Sequence, residues 1–220
     1  MADTIRTIAE IQTLLADNTT GAISPQDLRD MLVSLANAYQ QLNTKGWKDN
    51  VAPIFAVPGG VSAPALANFG PAGTLQRQQY AFALNDYVLL DPFHINHDIS
   101  NGCMGYFHVH WSTNGTSLNT TKWELHIQRA LGHNQAAFGA PVMVSVTQAA
   151  SGVAWQHMIA EVSLADALTL TEPDELLLVT LRRVTNGGTD NADSVFGLCV
   201  DLHYESDRHA TLNKAPNFNA

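Results

Sequence analysis

Phe107-His108-Val109-His110-Trp111 alternates apolar and polar residues, and Val200-Asp201-Leu202-His203-Tyr204 near the other end of the chain repeats the alternation. A two-residue period is that of a half-buried β-strand, whose successive side chains point to opposite faces. Phe107, Val109 and Trp111 then share one face, and His108 and His110 the other. Val200 and Leu202 stand in the same way against Asp201 and His203. Paired histidines on a strand face admit three readings: ligands of a metal ion, a polar seam between subunits, or hydrogen bonding with no chemistry.

The same kind of run recurs outward from these two. Strand-like segments lie near residues 79–84, 87–89, 105–111, 122–129, 141–147, 156–162, 176–183 and 195–204. Asn114-Gly115 and Asn186-Gly187-Gly188 between them read as hairpin loops, and 166–168 as a helical turn. Short strands with polar turns and no alternating helices predict a mainly β protein, an antiparallel β-sandwich of jelly-roll type.

The first 45 residues are different and predict a short N-terminal α-helical segment. Thr7 with Glu10 has the form of a capping box, followed by Ile8, Ile11, Leu14 and Leu15 at helical spacing. Residues 17–21 break the pattern as a turn does. A second helix starts at Ser24, an N-cap, with Pro25 in the first helical position and Asp27 in the first turn. Leu28, Leu35 and Leu42 recur every seven residues on it, and Met31 and Ala38 fill the intervening positions. With Leu32 they form a narrow stripe that packs either on its own domain's core or on copies of itself as an oligomerisation seam. The stripe is too short to hold an assembly alone. Residues 46–75, rich in Pro, Gly and Ala, predict an extended linker, which leaves 76–220 as the β domain.

Composition excludes several functions. The 220 residues are 45% hydrophobic and 14% charged, as in a folded chain rather than a disordered one. A net charge of −9, with 20 acidic against 11 basic residues and no basic cluster, argues against nucleic acid and anionic membranes as partners. No apolar run reaches the roughly 18 residues of a membrane span, so no membrane insertion is expected. Met1-Ala2-Asp3-Thr4-Ile5-Arg6 lacks the regions of a signal peptide. Cys103 and Cys199 belong to no CxxC pair and read as free thiols.

The candidate metal ligands are His108 and His110, about 6.5–7 Å apart along a strand, with His126, Asp201 and His203 as further donors. Gly102 precedes the two histidines at the spacing of the cupins, a family of jelly-roll metalloproteins. That resemblance is partial: Asn114 and Gly115 stand where the cupin glutamate belongs, and the second cupin motif is missing. No GxSxG elbow, thiol motif or phosphate-cradling loop is present, so no catalytic residue, cofactor or enzymatic activity is expected. Trp111 and Trp123 belong to inward strand faces, while Trp47 and Trp155 are candidates for exposure.

With the residues arranged in this way, the chain resembles a group of tailed-bacteriophage virion structural proteins of the head-fibre, tail-fibre or appendage kind. The resemblance lies in His108-Val109-His110-Trp111, Trp123-Glu124-Leu125-His126-Ile127 and Val200-Asp201-Leu202-His203-Tyr204, and in the leader from Ile23 to Asp30. The residues after Asp207 depart from the group's pattern. The resemblance implies a non-enzymatic homotrimer in a virion, made in the host cytoplasm. In such proteins a helical N-terminus anchors or trimerises and a β-sandwich projects. Its implied partners are other virion proteins of capsid, neck or tail, with a host-surface glycan as an alternative, receptor-binding role.

Overall fold

In the computed structural model, which describes residues 6–14, 24–42, 45–54, 62–100, 102–164 and 168–207, the chain divides into two units, Met1–Lys45 and Gly46–Ala220. The first contains α1 (Ile8–Leu14) and α2 (Pro25–Leu42). The Thr7 backbone N–H donates to Glu10 Oε2 at 2.7 Å and the Glu10 N–H donates to Thr7 Oγ1 at 3.2 Å, which closes the expected capping box. Ser24 caps α2 by accepting the Asp27 N–H on its Oγ at 3.2 Å. The side of α2 that is buried within this unit is polar. Asp30 and Ser34 are buried, and Arg6 reaches both, its Nε donating to Asp30 Oδ2 at 2.8 Å and its backbone N–H to Ser34 Oγ at 2.8 Å. Leu28, Leu32 and Leu35 are 48%, 56% and 57% exposed. Ala38 is also exposed and Met31 half-buried. The side chain of Leu42, the turn expected at 17–21 and most of that expected at 166–168 lie outside the described residues.

The second unit is built from eleven strands: β1 (Gly46–Pro53), β2 (Ala65–Phe69), β3 (Arg77–Phe82), β4 (Tyr87–Leu89), β5 (Phe93–His94), β6 (Gly105–Thr113), β7 (Thr120–Leu131), β8 (Val142–Ala149), β9 (Met158–Ser163), β10 (Glu175–Val184) and β11 (Val195–Ser206). One sheet has the order β2-β3-β11-β6-β9, with β1 also paired to β11. The other has the order β4-β10-β7-β8, with β5 also paired to β10. The named strands pair antiparallel throughout. The orders β3-β11-β6-β9 and β4-β10-β7-β8 are those of an eight-stranded jelly roll, the expected sandwich. Its core is the inward half of every alternating run. Phe107, Val109, Trp111, Trp123, Leu125, Leu177, Leu181, Val200 and Leu202 have no exposed surface. Burying each such side chain contributes about 1.5–3 kcal/mol.

All eight expected strands are present, but three expectations around them are corrected. Within the stretch expected as a linker, 46–75, two segments are strands: β1 pairs with β11 over Gly46↔Ser206 to Pro53↔Cys199, and β2 pairs with β3. Both were illegible because they are flanking strands held chiefly by backbone pairing. In β1 only Ala52 is fully buried, so no apolar alternation marks it. Asn114-Gly115 and Asn186-Gly187-Gly188 do not close hairpins. Each joins strands of opposite sheets, β6 to β7 and β10 to β11, because a jelly roll returns its chain across the sandwich. Finally, His126 does not join His108 and His110. It lies on β7, in the other sheet, and with Trp123, Leu125 and Ile127 packed inward it faces away on the opposite side of the molecule.

One irregularity positions the site. Trp111 pairs with Gly197, but His110 pairs with Cys199, leaving Leu198 as a β-bulge. Inward residues of β11 are therefore Val195 and Gly197 before the bulge and Val200, Leu202 and Tyr204 after it. Gly197 is required by close approach: a Cβ there would lie 2.8 Å from Ile54 Cδ1 and from Phe82 Cε2.

Candidate functional site

Because Phe107, Val109 and Trp111 fill the core, His108 and His110 stand on the outer face of the six-stranded sheet. The bulge at Leu198 rephases β11 so that Asp201 and His203 share that face. Asp201 pairs in register with His108, His108 with Glu161 of β9, and Asp49 of β1 with His203. The structure thus brings together four of the five expected donors and adds Asp49, Glu161 and His157. The histidine-bearing strands were legible, whereas Asp49 and Glu161 depend on strand adjacency, which no local pattern reports.

Asp201 is the centre of the group. Its side chain is only 8% exposed, its Oδ2 lies 2.7 Å from His110 Nε2, and its Oδ1 lies 3.2 Å from His108 Nδ1. The second ring nitrogen of each histidine is also engaged. His108 Nε2 is 3.1 Å from Glu161 Oε2, and His110 Nδ1 is 2.7 Å from His157 Nε2. A neutral imidazole carries one N–H, so with His110 Nε2 donating to Asp201, His110 Nδ1 accepts from His157. His203 Nδ1 meets Asp49 Oδ1 beside the group, and its ring packs 4.9 Å from that of His108. Trp47, 52% exposed, stacks on His203 with ring centroids 5.1 Å apart. Cys199 pairs with His110, and burial followed by the Asp201 charge pushes its thiol up, which favours the protonated form. Neither Cys103 nor Cys199 is in a disulfide.

A second cluster was not expected. Asp174, just before β10, is surrounded by His94 Nε2 at 3.0 Å from Oδ1, and by His97 Nε2 at 3.2 Å and His133 Nε2 at 2.5 Å from Oδ2. Burial pushes the Asp174 carboxyl up, but the hydrogen bond from His133, the nearby His97 and His133 charges and the hydrogen bond from His94 outweigh it and hold the group below the usual carboxylate range. Only the spacing of His94 and His97 hinted at this group, because most of it comes from connections without periodicity.

His126 occupies a different setting. Its Nε2 lies 2.7 Å from Glu124 Oε1, and it lines a cavity of about 270 Å³ with Ser62, Asn85, Tyr87, Thr180 and Arg182. Trp155 packs against Phe69 and Phe196 and is not fully exposed.

No protein-family model matches the chain, and no curated protein matches it. Among solved structures it is similar to the CBM22-1–GH10 modules of Clostridium thermocellum endo-1,4-β-D-xylanase 10B complexed with xylohexaose, with 13% identity, 76% of this chain and 28% of that chain covered, and a TM-score of 0.33. It is similar to the structure of infectious bursal disease virus Gt strain, with 10% identity, 73% and 32% covered and a TM-score of 0.31. A third likeness is to carbohydrate-binding modules of the β-sandwich superfamily, with 8% identity, 75% and 57% covered and a TM-score of 0.27. The chain spans only 28% and 32% of the first two, and at these scores none of the likenesses bears on the site or on an activity. Among the described residues, no helix is long and apolar enough to cross a membrane.

Proposed function

We propose that this chain is a non-enzymatic structural component of a bacteriophage particle, a homotrimer gathered by α2 that displays its β-sandwich outward. The observation that carries the assembly reading is the orientation of α2. Within its unit the helix buries Asp30 and Ser34 and leaves Leu28, Leu32 and Leu35 about half exposed. Covering the exposed half of each leucine with a neighbouring copy contributes about 1 kcal/mol, a seam that the sandwich must supplement. The virion assignment rests on the motifs around His108, Trp123 and Asp201 and on the leader from Ile23 to Asp30. Sedimentation of the full chain at micromolar concentration tests the assembly: a three-chain mass is expected, and a stable monomer overturns it. Detection of the chain by mass spectrometry in purified particles tests the assignment.

The cavity beside His126 favours a receptor role on the same particle. It gathers hydroxyl, amide, imidazole and guanidinium groups, with Arg182 Nη2 donating to Asn85 Oδ1 at 3.0 Å, a lining suited to a hydroxyl-rich glycan. A glycan array without hits overturns this role.

A further inference from the structure

From the outer face of the six-stranded sheet we infer that His108, His110 and Asp201 form a binding site for one divalent transition-metal ion. The inference is independent of the assembly proposed above. One ligand atom from each residue lies within 4.8 Å of the others. Nitrogen and oxygen ligands bound at about 2.0–2.1 Å in a tetrahedral shell stand roughly 3.3 Å apart. His108 Nδ1 lies 3.2 Å from Asp201 Oδ1 and His110 Nε2 lies 2.7 Å from the other oxygen, Oδ2, so one ion would be held between the two imidazoles by a carboxylate that offers both oxygens, with a small widening on the His110 side.

Two further observations point to a cation rather than to a closed hydrogen-bonded cluster. The Asp201 side chain is more than nine-tenths buried, yet its Oδ1 has no hydrogen-bond partner, and the contact to His108 Nδ1 lacks hydrogen-bond geometry. A buried carboxylate oxygen without a donor is costly, and a metal ion between it and the imidazoles satisfies it. The outer shell is also in place. With His108 Nδ1 and His110 Nε2 turned to the ion, the remaining ring nitrogens carry the N–H: that of His108 donates to Glu161 Oε2 at 3.1 Å, and that of His110 donates to His157 Nε2 at 2.7 Å, the reverse of the ion-free direction. Such acceptors fix the tautomer and orientation of metal-bound histidines.

The donor set selects the ion. Two imidazole nitrogens and one carboxylate suit zinc, nickel, cobalt or copper, whereas magnesium and calcium prefer oxygen throughout. The face is outward, so water completes the shell.

Titration of the chelator-washed full chain with zinc chloride, followed by calorimetry and elemental analysis, tests the site. About one zinc per chain is expected, and cobalt loading should give visible d–d absorption. His108→Gln and His110→Gln should each weaken binding at least tenfold. Glu161→Ala, acting only through His108, should weaken it by about 10–100-fold, and His94→Gln in the other cluster should leave it unchanged. Asp201→Asn is informative only if its far-UV spectrum is native, so the two histidine variants decide the question. Absence of stoichiometric zinc, or binding that survives both histidine variants, overturns the site. Binding lost in His94→Gln instead overturns it equally.

Discussion

Asp201 stands opposite His108 on the outer face of the sheet only because Leu198 is bulged out of β11. Before the bulge the odd-numbered residues of the strand point inward, and after it the even-numbered ones do. Without that step Asp201 and His203 would face the core, where apolar side chains would replace the His108 and His110 rings as neighbours of the carboxylate at a high cost. The glycine beside the bulge is therefore part of the site's support. Gly197→Val places its first carbon within 2.8 Å of Ile54 Cδ1 and Phe82 Cε2. A loss of about 1–3 kcal/mol is expected, read as a lower urea midpoint, together with weakened zinc uptake.

Trp111 and Trp123 join the two layers of the sandwich, their rings meeting edge-on at a centroid distance of 6.3 Å with no surface exposed. Trp111→Ala should cost about 3–5 kcal/mol by equilibrium denaturation. Trp47→Ala, on the open face, should cost much less and leave the core intact.

The α2 stripe is separable from the sandwich. Leu28→Glu combined with Leu35→Glu should abolish the proposed association in sedimentation, since each change replaces about 1 kcal/mol of apolar burial with a charge in the seam. Because both are about half exposed in the single chain, the strand signal in far-UV circular dichroism should be unchanged.

Acid should act through Asp98 and Asp174. Burial pushes the Asp98 carboxyl up, but hydrogen bonds from Lys48, Tyr204 and Ser206 outweigh it and hold the group below the usual range. A carboxylate depressed in the folded state adds stability that is present above its unfolded value, near pH 4, and is lost as pH falls through the lower folded value. The urea midpoint should therefore fall below about pH 4, and more gently in Asp98→Asn or Asp174→Asn.

Helix capping at the N-terminus provides a smaller test. Ser24→Ala removes the acceptor for the Asp27 N–H and should weaken the helical signal by about 1 kcal/mol, measured by thermal denaturation of the far-UV band.

The local sequence determined the elements whose side chains carry a period. The alternation in 105–111, 122–129 and 200–204 was sufficient for β6, β7 and the second half of β11 and for the outward direction of His108 and His110, because burial of one face imposes a two-residue repeat. Thr7, Glu10 and Ser24 were sufficient for the starts of α1 and α2, because capping is a contact between residues three apart. Tertiary structure decided what depends on neighbours distant in sequence. β1 and β2 are held by backbone pairing that leaves little mark on side-chain order. The loops after β6 and β10 cross between layers although their residues suit hairpins equally well. His126 looked equivalent to His110 until its strand was placed in the other sheet. The meeting of His108, His110 and Asp201 required a ladder between β6 and β11, since side chains converge by strand adjacency while the alternating pattern fixes only the face on which each one stands.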